Sequence, residues 1–74
     1  GYIMTGTEKA NQLLELIEQG KTIFITNYMH SYKIDKKVVK RFGDRPVIKG
    51  TEKSLYMSSG NNYVCIDGCK ITYS

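Results

Sequence analysis

The residues of this sequence with the clearest capacity for chemistry are its cations. Lys33, Lys36, Lys37, Lys40, Arg41, Arg45 and Lys49 follow one another, opposed only by Asp35 and Asp44. That stretch carries +5 in a chain whose total is +4, so the remainder is slightly acidic and the basicity is local. Basic side chains spaced along one face neutralise successive phosphates, and such binding weakens steeply with salt. They can equally meet an acidic patch on a protein, or simply keep a helix face solvated. Upstream lies Asn27-Tyr28-Met29-His30-Ser31-Tyr32. Aromatic and methionine side chains in a connection offer contact area at low entropic cost. Rings beside cations can also stack on unpaired bases, while the plainer reading has them cover the core edge with their hydroxyls in water. The candidate partner-contacting residues are therefore Lys33, Lys36, Lys37, Lys40, Arg41 and Arg45, with Tyr28, His30 and Tyr32.

Catalytic and metal-binding constellations are not expected. His30 is the single histidine. It has the chemistry of a general base, but no serine, cysteine or carboxylate is placed by sequence to complete a site. It reads as a surface residue, and as the one to respond to pH near neutrality. Cys65 and Cys69 straddle Asp67-Gly68, a two-residue turn signal. In such a hairpin Ile66 faces Cys69 and Cys65 faces Lys70, which sends the thiols to opposite sides of the sheet. That geometry argues against a disulfide and against a shared metal, and with one histidine a four-ligand zinc site lacks ligands. The thiols read as packed hydrophobes. Gly60-Asn61-Asn62 lacks the spacing and lysine of a phosphate loop and reads as a turn. No catalytic, cofactor or metal site is assigned, and the chain reads as non-enzymatic.

The elements that must position the cations follow from period and punctuation. Thr5 and Glu8 form a capping box, followed by an apolar stripe of Ala10, Leu13, Leu14 and Ile17 and a stop at Gly20, which predicts a helix over about 6–19. Residues 22–26 are β-branched and aromatic and predict a buried strand. Residues 27–33 read as a connection. Asp35 is the expected N-cap of a second helix, 36–42, with Val38, Val39 and Phe42 inside, Lys36, Lys37, Lys40 and Arg41 outside, and Gly43 as its end. Pro46 forces an extended restart, with short strands at 47–48, about 55–57, 63–66 and 70–73. The expected fold class is α+β: two helices packed on one face of a mostly antiparallel sheet of four to five strands.

At 74 residues the chain suffices for one domain. A domain this small buries only roughly 60% of its unfolded surface and can hardly spare core volume for a deep substrate cavity. The domain is expected over 4–74, with Met4 the native start and Gly1, Tyr2 and Ile3 an expression remnant. There is no apolar run long enough for a membrane span and no signal-peptide pattern. Two cysteines fit a reducing compartment, so a cytoplasmic location and no membrane partner are expected.

Leu55-Tyr56-Met57-Ser58-Ser59-Gly60 and Tyr63-Val64-Cys65-Ile66-Asp67-Gly68-Cys69-Lys70-Ile71 look like a hairpin of small uncharacterised bacteriophage and prophage proteins, and residues 22–42 look similar to them too. The resemblance implies a phage or mobile-element origin and a cytoplasmic site in a bacterial host. Small phage proteins often bind and disable host enzymes, including defence nucleases such as those of CRISPR systems. The first reading is thus a non-enzymatic binding protein that inhibits or redirects a host nucleic-acid-processing enzyme, its basic helix occluding a host protein or protein–nucleic acid complex. The alternative is a direct DNA- or RNA-binding module, of winged-helix type if the second helix and the following hairpin are so arranged. A homodimer through a sheet edge is a further expectation.

Overall fold

A computed structural model describes residues 4–74, so Gly1, Tyr2 and Ile3, and the expectation attached to them, lie outside the described residues. Helix α1 (Gly6–Glu18) starts as its sequence dictates. Thr5 Oγ1 accepts from Glu8 N, and Thr5 N donates to Glu8 Oε1, both at 3.0 Å. At the other end Gly20 adopts φ 96. Its N–H donates to Ile17 O and that of Lys21 to Leu16 O, the paired bonds of a Schellman stop.

Six strands follow: β1 (Ile23–Thr26), β2 (Ser31–Ile34), then helix α2 (Lys36–Phe42), β3 (Ile48–Gly50), β4 (Leu55–Ser59), β5 (Asn62–Cys65) and β6 (Lys70–Tyr73). The α+β class and the antiparallel pairing are as expected. Among the described residues, however, the strands number six and divide into two three-stranded sheets, ordered β2-β1-β6 and β3-β4-β5.

The additional strand is β2, within what reads as a polar connection. Asn27 Oδ1 accepts from Met29 N at 2.7 Å and His30 N at 2.8 Å, and Asn27 N donates to His30 O. This closes the chain at once, so Ser31–Ile34 returns along β1 with Thr26 opposite Ser31 and Ile23 opposite Ile34. The β4–β5 loop is shorter still, and Gly60 at its first central position has φ 60, which a type II′ turn requires.

The expected hairpin across Asp67-Gly68 does not form. A two-residue type I′ turn needs positive φ at both central residues, and among the described residues none but glycine has it. Gly68 alone turns left-handed, at φ 84, so the bend carries the chain from one sheet to the other. β5 pairs with β4 and β6 with β1. Asp67 has a structural part in this crossover. Its Oδ1 accepts from Leu55 N at 2.9 Å, while Leu55 O accepts from Ile66 N. These bonds to the charged form hold its carboxyl below the ordinary value of 3.8, led by the Leu55 amide and helped by Ser54 and Cys65.

The core is one cluster drawn from both sheets and α1: Ala10, Ile17, Ile23, Ile25, Ile34, Val47, Ile48, Leu55, Met57 and Ile66. Complete burial of a side chain such as Ile23 or Ile48 contributes about 1.5–3 kcal/mol. α1 lies mainly on β3 and β4, where backbone meets backbone. Thr7 N donates to Thr51 O, Gly6 N to Glu52 O, and Thr7 Oγ1 to Gly50 O. A Cβ on Gly50 would run into the backbone of Gly6 and Thr7, and one on Gly6 into that of Ser54 and Thr51. Both positions demand glycine for close approach.

Candidate functional site

Helix α2 is placed by Asp35, whose Oδ1 accepts from Val38 N at 3.1 Å, and ends at Gly43, φ 63. Val38, Val39 and Phe42 pack against the core but are only half-buried, so the helix rides on the edge of the domain beside β2. Lys36, Lys37, Lys40 and Arg41 are all exposed, as expected.

The seven cations divide into three groups. Lys33, arriving from β2, joins Lys37, Lys40 and Arg41 of α2 around an open groove of ≈ 710 Å³, whose remaining lining is Val38 and Asp35. The one carboxylate here, Asp35, caps the helix through Oδ1 and keeps its negative charge, so the lining sums to +3, and among the described residues the four cations have no ion-pair partner. Lys36 leans away, 4.0 Å from Glu18, with both side chains largely in water; such a pair is worth little. Arg45 and Lys49 belong to the outer face of the β3-β4-β5 sheet. The Arg45 guanidinium donates to Ser58 Oγ and to Gly60 O and lies 5.4 Å from the Phe42 ring centre. Lys49 Nζ stands 3.9 Å from the centre of Tyr63, whose hydroxyl donates to Pro46 O at 2.6 Å. Arg45 is thus a brace between α2 and the second sheet, although with Arg41 and Phe42 it lines a second hollow of ≈ 610 Å³ next to the groove.

The groove is electrostatically costly to the free protein. Lys36–Lys40 and Lys37–Arg41 are i,i+4 like-charge pairs, each unfavourable by about 0.2–0.5 kcal/mol. Lys36 and Lys37 sit in the first turn, where the macrodipole disfavours cations and the N-cap Asp35 offsets it, while Lys40 and Arg41 sit in the last turn, where the dipole favours them.

The aromatic connection separates as well. Tyr28 and Met29 form the tip of the β1–β2 hairpin and are 97% and 69% exposed. Tyr32 turns inward opposite Ile25 and packs against the core, which takes it out of the contact surface. His30 is exposed, its ring centre 6.0 Å from that of Tyr32. Both thiols are free. Their expected placement across a shared hairpin is corrected by the crossover, which puts Cys65 in one sheet and Cys69 just before a strand of the other. Cys69 packs against the core within 3.9 Å of Asn27 Nδ2, whereas Cys65 is exposed rather than packed.

One feature escaped the reading of residues 22–26 as wholly buried. Ile23 and Ile25 point into the core, so Phe24 between them faces the other way. Register places Phe24 between Lys33 and Thr72, and Thr26 between Ser31 and Lys70. This outer face carries two lysines, three hydroxyls and one half-buried ring, with no acidic residue in the paired positions, and it shares Lys33 with the groove.

The winged-helix arrangement is corrected by topology: the β1–β2 hairpin separates α1 from α2, so the described residues hold no helix-turn-helix. Among them, no helix is long and apolar enough to cross a membrane. Comparison with protein-family models, with curated proteins and with solved structures found no match.

Proposed function

We propose that this chain is a non-enzymatic binding protein whose basic groove takes up the phosphate backbone of nucleic acid. The observation that carries the proposal is the convergence of four cations, Lys33, Lys37, Lys40 and Arg41, on one groove against the single carboxylate of Asp35. A helix that carries like charges at i,i+4 gains stability when an anion arrives between them. A polyanion rewards four adjacent cations together through counterion release. The test is fluorescence anisotropy of labelled 20-nucleotide single strands and the matching duplex in low salt. The wild type is expected to bind, and Lys37→Glu/Arg41→Glu, equally stable by thermal melting, to lose binding. No binding by micromolar wild-type protein would overturn the proposal.

A second reading is favoured by the Tyr28-Met29 tip, an exposed pair of the kind that anchors protein interfaces. In it the groove covers an acidic or nucleic-acid-bound surface of a host nucleic-acid-processing enzyme, for which an inhibitor of phage type is the model. Capture from bacterial lysate separates the two. A partner that survives nuclease treatment but is lost from the Glu variant supports the second.

A further inference from the structure

We infer that the open face of the β2-β1-β6 sheet is a stacking platform, which makes the preferred ligand single-stranded nucleic acid. The inference rests on the phosphate-binding reading of the groove and names the substrate class. An aromatic ring at the centre of an outward sheet face is an uneconomical choice for solubility, and the other outward residue of the strand is Thr26. Phe24 occupies the central strand, with Lys33 directly opposite on one neighbour and Thr72 on the other. Side chains so paired have Cβ atoms about 4.5–5.5 Å apart, so a base lying on the ring brings its flanking phosphates within reach of Lys33 and, one pair along, of Lys70. The hydroxyls of Thr26, Ser31 and Thr72 supply donors and acceptors for base edges or sugar. Lys33 belongs also to the groove, so a strand leaving the sheet face continues onto Lys37, Lys40 and Arg41, past the single carboxylate of Asp35.

A ring on a positively charged track binds any base through its π-face. A duplex keeps its base faces stacked and cannot use Phe24. The discriminating prediction is therefore a preference for single strands that depends on one side chain.

Anisotropy with labelled (dT)20 and a 20-base-pair duplex, for wild type, Phe24→Leu, Phe24→Tyr and Lys37→Glu/Arg41→Glu, tests it. Phe24→Leu is expected to weaken (dT)20 binding about tenfold, the scale of one lost base–aromatic stack, and to leave duplex binding unchanged; Phe24→Tyr restores the single-strand affinity. Loss with both ligands in the Glu variant alone, and unchanged (dT)20 affinity in Phe24→Leu, overturns the stacking inference and spares the groove. Unchanged affinity in the Glu variant overturns the groove itself. Should Phe24→Leu fail to fold, amide shifts of the wild type on adding (dT)20 decide: movement centred on residues 24–26, 31–33 and 70–72 supports the platform, and movement confined to α2 overturns it.

Discussion

Gly50→Ala should destabilise the domain strongly, although the same change at an unconstrained position would stabilise it. Gly50 does not have a positive φ, so alanine would suffer no backbone strain there. Lowered entropy of the unfolded chain would then favour alanine by about 0.4–1 kcal/mol. Against that, the new methyl would occupy the space of the Gly6 carbonyl and the Thr7 amide. Both obstacles are backbone, at the start of a helix fixed by its capping box, and neither can rotate away. α1 must lift, and the joint it forms there consists of three hydrogen bonds: Thr7 N to Thr51 O, Gly6 N to Glu52 O and Thr7 Oγ1 to Gly50 O. At a net contribution of about 0.5–1.5 kcal/mol each, their loss amounts to about 2–4 kcal/mol. A domain of this length has a total stability of only about 4–11 kcal/mol. Urea unfolding followed by far-ultraviolet circular dichroism reads the difference. With a slope near 1 kcal/mol per molar for so small a domain, the midpoint should fall by about 2 M or more. A midpoint equal to that of the wild type, or higher, would show that α1 does not approach β3 as closely as described, and the packing argument would fail.

Other outcomes follow from the same contacts. Asp35→Ala removes the α2 cap and should cost about 1 kcal/mol; an unchanged melting temperature contradicts the capping role. Arg45→Ala should lower stability by about 1 kcal/mol through its lost bonds to Ser58 and Gly60, with little effect on oligonucleotide affinity; the reverse pattern would return Arg45 to the contact surface. Asp67 has a lowered carboxyl pKa, so its stabilisation is present above the unfolded value of 3.8 and is lost as pH falls through the folded one. Acid titration of the wild type should therefore show a loss of stability below about pH 4 that is smaller in Asp67→Asn, and identical acid limbs would refute the assignment.

Much of this was legible in the sequence because the signals are local. Thr5, Glu8 and Gly20 delimit α1, and Asp35 and Gly43 delimit α2, through side chains and φ angles acting within a few residues. The wet face of α2 follows from the helical period in the same way. Two misreadings share a cause: local residue types outweighed the strand's alternation. In residues 31–34 the alternation of Tyr32 and Ile34 is a strand signal, masked by the serine and lysine between them. In residues 22–26 the run of apolar types hid the fact that a strand with two inward isoleucines turns Phe24 outward. The crossover at Asp67-Gly68 lay beyond any local signal. Whether that turn closes a hairpin depends on φ at Asp67 and on the Leu55 amide, supplied from twelve residues away. The division of the cations is likewise tertiary: Arg45 and Lys49 look equivalent to Lys37 until Tyr63, Ser58 and Gly60 are brought beside them.

The salt dependence of oligonucleotide binding reaches the central claim most directly. With the four groove cations on phosphates, the plot of log Kobs against log salt concentration for (dT)20 should have a slope of roughly −3, and Lys37→Gln/Arg41→Gln should bring it down to about half. A slope near zero, or one that the double variant leaves unchanged, would mean that the groove of Lys33, Lys37, Lys40 and Arg41 is not where the phosphates bind.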